Sequence, residues 1–342
     1  MSTRREALAM LPALLTPLLA TPAARASSGA PEPVEVSQRA IELSSRSAQP
    51  TVSSKTPFAM VGLRWDGQPP EVMAVRVPGG EWTAMEPAPG TTASQPVWTG
   101  RTHEVQVRAT RDGAPAIGVA AVLIDPGRSP SDAVPPTSRD RGYPVVSRAG
   151  WGADESLRCR EAQFDDEVRA VALHHTAETN DYSASDSPAI VRGIYAYHAE
   201  TLGWCDIGYH ALVDRFGQVF EGRAGGLERP VIGAHSAGFN RRTSSIAMMG
   251  SYTGHQAGDA QRDALSGYLG WKLAAHGLDP TGETTLLSEG GGSSRHPSGT
   301  EVRLPVLLGH RDVGHTECPG DDGYALLPGL RSAAAATMSA VR

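Results

Sequence analysis

Short apolar runs separated by turn residues dominate the front of the chain. Residues 58–65, 72–77, 103–108 and 117–124 are rich in Val, Ile, Met and aromatic side chains, with Gly- and Pro-bearing stretches between them. This spacing predicts a small antiparallel, sandwich-like all-β domain over residues 56–126. The Ser-, Pro- and Ala-rich stretch 27–55 predicts a flexible lead-in, and the polar, Pro-rich stretch 127–142 a linker.

From residue 143 to 342 the pattern alternates between strand and helix. Residues 168–173 form an apolar run that predicts a buried strand. A helix is predicted next, with Ser187 as its cap, Pro188 in its first turn and Gly203 at its end. Its apolar stripe is Ile190, Val191, Ile194, Tyr195, His198 and Leu202. Residues 209–214 and 218–221 flank a turn and predict a hairpin. Strands are predicted at 245–250 and 304–309, a helix at 259–276, a surface loop at 289–299 and a helical C-terminus. The expected fold class is α/β, a mixed central sheet flanked by helices, preceded by the all-β domain.

The N-terminus has the order of an export signal. Arg4 and Arg5 precede an apolar stretch over 7–20, and Ala24, Arg25 and Ala26 offer a small-residue exit, so residues 1–26 predict a cleaved signal peptide. The apolar stretch is short for a membrane anchor and carries Pro12, Pro17 and Pro22. A secreted, cell-wall-associated protein is expected, exported by the Sec route or, given the paired arginines, the Tat route. A formal net charge of −6 argues against a nucleic-acid partner. No later segment predicts a stable membrane span, and a monomer is expected.

Three cysteines, Cys159, Cys205 and Cys318, leave one unpaired in any disulfide scheme. Either one thiol is free or one holds a metal. Ten of the eleven histidines lie beyond residue 143. His174 and His175 follow the first predicted strand of that segment, His310 and Cys318 follow the last, and Tyr209-His210 opens the hairpin. Two imidazoles and a thiolate suit a catalytic zinc, which takes three protein ligands and keeps a fourth position open. His310, Cys318 and either His174 or His175 would supply the set, leaving Cys159 and Cys205 to pair with each other. His198, on the apolar stripe, and His210, on the opposite strand face from Tyr209, are expected to be core residues. Trp204 is a candidate to stack on a sugar ring or to pack at the helix end.

Residues from 146 to about 330 resemble the peptidoglycan recognition protein family, which shares its fold with the type 2 N-acetylmuramoyl-L-alanine amidases. The matching stretches are Ser147-Arg-Ala-Gly-Trp-Gly-Ala153, His174-His-Thr-Ala177, Asp206-Ile-Gly-Tyr-His210, Glu221-Gly-Arg223, Gly233-Ala-His235 with Gly238-Phe-Asn240, and Gly309-His-Arg-Asp312 with Thr316-Glu-Cys-Pro-Gly320. The resemblance, closest to the secreted actinobacterial type, implies zinc ligands at His174, His310 and Cys318, selecting His174 over His175. It implies catalytic roles for Tyr209 and Thr316 and places Arg223, His235 and Asn240 in segments that line or support the substrate groove. The implied activity is hydrolysis of the lactyl amide between N-acetylmuramic acid and L-alanine in peptidoglycan. The alternative is a muropeptide-binding module that does not cut; family members lacking the cysteine are of this kind, so Cys318 discriminates. Ala211 and Ala224-Gly225-Gly226 depart from the family pattern where the stem peptide is read, so no stem-peptide preference follows. No metalloprotease-type glutamate identifies a general base.

Overall fold

The computed structural model describes residues 32–44, 47–139 and 142–341, and the predicted export signal lies outside them. The front of the chain supplies β1 (Ser37–Glu42), β2 (Thr51–Trp65), β3 (Val72–Arg76), β4 (Thr83–Ala84), β5 (Val97–Arg111), β6 (Ala114–Pro115) and β7 (Val119–Asp125). They form one seven-stranded sheet in the order β1-β7-β2-β5-β3-β4, with β6 on β5, and every pairing is antiparallel.

Side chains of this sheet alternate between two cores, as the two-residue period of a strand requires. Val61, Leu63, Ala121 and Leu123 enter an apolar cluster with Phe58, Val75 and Val107. Met60, Val122 and Ile124, from the same strands, enter another with Ile190, Val191 and Ile194. Burial on both faces explains why 119–124 reads as an apolar run more than as an alternation, while Ile117, ahead of the strand, is exposed.

The rest of the chain forms a second sheet from β8 (Thr137–Ser138), β9 (Val145–Val146), β10 (Ala170–His175), β11 (Ala211–Val213), β12 (Val219–Glu221), β13 (Thr243–Met248) and β16 (Leu307–Gly309). A separate hairpin, β14 (Glu283–Leu287) and β15 (Glu301–Pro305), brackets the predicted loop. The second sheet runs β16-β10-β13-β11-β12-β9-β8 and is mixed: β10 is parallel to β13 and β16, while β11 and β12 form the expected hairpin. Helix α1 (Ser187–Ala196) covers one face; α2 (Asp259–Ala275) and α4 (Leu327–Val341) cover the other, with the short α3 (Asp321–Ala325) before α4. Ala247 and Leu212 face α1, whereas Ile246, Met248 and Val213 face α2 and α4. The layers are thus front sheet, α1, central sheet, and the α2–α4 pair. The α/β class with a preceding all-β region is what the sequence pattern predicts.

All ten residues of α1 are buried because sheets cover it on both sides. Its one charged residue, Arg192, is satisfied by a bidentate pair with Asp132 at 2.7 and 2.8 Å and by the carbonyls of Pro126 and Trp151. Two glycines permit the close approach. A Cβ on Gly193 would lie 2.3 Å from Met60 Sδ, and one on Gly62 would lie 2.4 Å from the ring of Tyr197.

Several elements differ from the sequence expectation. Ser37–Glu42, within the predicted lead-in, is an edge strand, because β7 offers it an unpaired edge. Ser187 does not cap α1: Asp186 is the N-cap residue, and the Ser187 hydroxyl donates to Asp214 Oδ2 at 2.7 Å. A π-helical turn, Tyr197–Thr201, follows α1. Among the described residues no helix is long and apolar enough to cross a membrane.

Candidate metal centre and catalytic cleft

Strand register brings the histidines together. β10 and β16 run parallel with Leu173 opposite Gly309, so the next residues, His174 and His310, emerge side by side at the C-terminal edge of the sheet. Their rings lie 4.5 Å apart, centre to centre. Such an edge is where parallel sheets present ligand-binding groups. His310 begins a tight turn in which Asp312 Oδ2 accepts the Gly309 amide at 2.8 Å and Oδ1 accepts the Tyr324 hydroxyl at 2.6 Å. The chain then returns Cys318, whose sulfur accepts the His175 amide at 3.3 Å and lies 3.6 Å from His174 Nδ1.

The donor atoms of His174, His310 and Cys318 all lie within 4.8 Å of one another, and all three residues are buried. Zinc bonds of about 2.0–2.3 Å join a set this close with slight side-chain adjustment, and the N, N, S chemistry suits that ion. Burial, reinforced by neighbouring histidines, holds His174 well below the usual imidazole range and His310 down at about 3. Both rings are therefore neutral near pH 7, as a ligand must be. Burial raises the Cys318 thiol, so metal uptake displaces its proton.

His174 uses both ring nitrogens. With Nδ1 facing the cysteine, Nε2 lies 3.2 Å from His235 Nδ1, and His235 Nε2 in turn lies 3.4 Å from the Thr243 hydroxyl, which donates to Phe239 O. A relay of this kind fixes the tautomer and orientation of a ligand. His235 therefore stands behind His174 as well as lining the cleft.

Tyr209 arrives on the segment before β11, which is held by Asp206. That carboxylate accepts the Ile207 and Ala224 amides and pairs with buried Arg148 at 3.0 Å. A Cys159–Cys205 disulfide closes the neighbouring loop, as the cysteine count allows. The Tyr209 ring sits 5.3 Å from that of His174. Burial first, then the nearby Cys318, Glu86 and Glu178, push its phenol well above 10, so the hydroxyl keeps its proton. Thr316 lines the same cleft, and its Oγ1 accepts the Cys318 amide at 3.1 Å.

The cleft has a volume of about 310 Å³. Half-buried Trp204 lines it and stacks near His198, with ring centres 4.7 Å apart. Asn240 lines it too, and its Oδ1 accepts the amides of His235 and Ser236 at 2.7 and 2.8 Å. Arg223 does not line it: its buried guanidinium donates to the carbonyls of Ile207 and Trp204. His198 and His210 are buried and hydrogen-bonded, the latter to Ser245 and Val231. Five lining residues, Glu86, Pro87, Pro89, Gly90 and Gln95, come from the front of the chain, and none carries a sequence signature. Only the fold brings them across.

A family model described as N-acetylmuramoyl-L-alanine amidase matches residues 164–321. Peptidoglycan-recognition protein SC2 of Drosophila simulans is 31% identical over 181 residues, 52% of this chain and 82% of that protein. Peptidoglycan recognition protein 1 of Bos taurus is 29% identical over 184 residues, 54% of this chain and 82% of that protein. The solved structure of Drosophila PGRP-LB covers 53% of this chain and 90% of its own, at 25% identity and a TM-score of 0.41.

Proposed function

The chain belongs to the peptidoglycan recognition protein family, and from that premise we propose that it is a secreted, zinc-dependent N-acetylmuramoyl-L-alanine amidase. The observation that carries this reading is the convergence of His174, His310 and Cys318, which a module that only binds muropeptides does not require. In this reading those three side chains hold zinc. Zinc supplies Lewis-acid polarisation of the lactyl carbonyl and of a water.

The remaining roles fall to the chain. His235 keeps His174 oriented through its second nitrogen. The Tyr209 hydroxyl, protonated at working pH, donates to the oxygen of the lactyl carbonyl as negative charge develops there, where a preorganised donor acts most strongly. Thr316 presents a second hydroxyl to the same oxygen or to the leaving amide. Trp204 offers an aromatic face to the sugar. Asn240 holds the 235–236 turn that forms the floor. Arg223 acts indirectly, fixing the carbonyls just ahead of Tyr209.

The substrate is peptidoglycan or its muropeptides, acted on outside the cell after removal of residues 1–26. The proposed layout is a lead-in over 27–55, a β domain over 56–126, a linker over 127–142 and the amidase domain over 143–342, in a monomer.

Metal analysis tests the reading. Purified protein is expected to hold close to one zinc, and chelation to abolish release of stem peptides from sacculi. Cys318→Ser is expected to lose zinc and cutting while retaining muropeptide affinity. Equal cutting by metal-free protein would overturn the mechanism.

A further inference from the structure

The cleft is not built from the amidase segment alone. Residues 86–95 of the front half form a hairpin: the Gln95 amide donates to Glu86 O and the Ala88 amide to Ala93 O, both at 2.7 Å, and Pro87 bridges to Ser94. Its base is fixed to β2, where the Ser94 amide donates to Leu63 O at 2.8 Å and the Ser94 hydroxyl accepts the Leu63 amide at 2.9 Å. At its tip Gly90 approaches the Gly-rich loop, with Ser293 Oγ 3.7 Å from where a Cβ would stand.

Two buried histidines of the amidase segment hold this hairpin over the cleft. The Gly208 amide donates to His198 Nδ1 at 3.1 Å, which places the ring proton on Nε2, and that N–H faces Gln95 Oε1 at 3.2 Å. The Tyr252 amide donates to His175 Nδ1 at 3.3 Å, which again places the proton on Nε2. His175 Nε2 lies 3.4 Å from Glu86 Oε2, a polar contact without hydrogen-bond alignment. The His175 backbone amide meanwhile holds the Cys318 sulfur. Through this one residue the Glu86 carboxylate is located beside the donor cluster, on a wall of the cleft that also holds Tyr209 and Thr316. Its side chain remains 32% exposed, open toward the space where substrate and water enter.

Resting on the amidase reading, we infer that Glu86, delivered by the front sheet, is the general base that this active site otherwise lacks. As the water oxygen bonds to the lactyl carbonyl carbon, one water proton passes to a Glu86 oxygen. When the C–N bond breaks, the same proton goes to the departing L-alanine nitrogen and the carboxylate is regenerated. The lactyl product leaves as a carboxylic acid whose proton is lost to solvent. On this account the front half is part of the catalytic apparatus.

Glu86→Gln preserves the size and planarity of the side chain and an oxygen for the His175 contact, while removing the base. Full-length, zinc-loaded Glu86→Gln is expected to lose about 10²–10⁴-fold in kcat on sacculi, the range for a general base. Its zinc content, melting temperature and affinity for an uncut muramyl peptide should match wild type within about twofold, since only a transition-state interaction is removed. Glu86→Asp, which keeps a carboxylate, is expected to recover part of the rate. Wild-type kcat in Glu86→Gln would overturn the inference, as would a rate loss accompanied by loss of zinc or of peptide affinity. Failure of zinc-loaded wild type to cut would instead overturn the amidase reading itself.

Discussion

Glu178 lies beneath the cleft with its carboxyl fully enclosed and its Oε1 accepting from the Thr176 hydroxyl at 2.8 Å. Burial pushes it up to about 8, so it is neutral in the folded protein at pH 7. The unfolded chain releases this proton near the ordinary carboxylate value, so between about pH 4.5 and 8 the folded state binds more protons and Glu178 lowers stability as pH rises. Glu178→Gln imitates the neutral form. The difference in melting temperature, variant minus wild type, is expected to grow across that window and level off above it; a difference independent of pH would show that the carboxyl is ionised in the fold. The buried histidines act in the opposite direction. His174, His198, His210, His235 and His310 are all held below the ordinary imidazole value, chiefly by burial, and resist protonation as pH falls. At this scale the sequence was legible where side-chain chemistry is distinctive. Cys318, His174 and His310 announce a metal by donor type. Glu86 and the relay from His235 to Thr243 do not, because their meaning lies in partners 89 and 8 residues away.

Among the elements, α1 shows how context overrides a pattern. Its apolar stripe predicts one buried face, yet the front sheet covers the other as well, and its polar residues Arg192 and Ser187 are satisfied by Asp132 and Asp214. The contact depends on Gly62, where any side chain meets the buried ring of Tyr197. Gly62→Ala is expected to cost about 1–3 kcal/mol by overpacking, read as a lowered denaturant midpoint. An unchanged midpoint would mean that sheet and helix separate freely. Strands β10, β13 and β7 were legible as apolar runs because both faces are buried. β1 was not, since its pairing comes from the free edge of β7 and its own residues alternate only weakly. The β14–β15 hairpin was legible only at Leu304 and Pro305, within the predicted strand 304–309, which the structure divides between β15 and β16; the rest of its pattern is largely exposed.

For the whole molecule, the consequence is that the candidate cleft draws on both halves of the chain. The described residues fall in one compact unit, and the cluster containing Met60 and Ile124 of the front sheet also contains Tyr209 and Ala247 of the central one. The hairpin over 86–95 extends that shared core to the rim of the candidate metal centre. The sequence divides naturally into a β segment and an α/β segment, and composition carries no sign that the first reaches the candidate site of the second. That junction arises from packing between distant strands. The proposed function is hydrolysis of one bond by a centre built from two imidazoles and a thiolate. Mass spectrometry of sacculi digested by the zinc-loaded full chain tests it most directly. The expected products are stem peptides with a free L-alanine amine and glycan strands with intact lactyl carboxylates; cleavage within the glycan or at another peptide bond, or no cleavage at all, would contradict it.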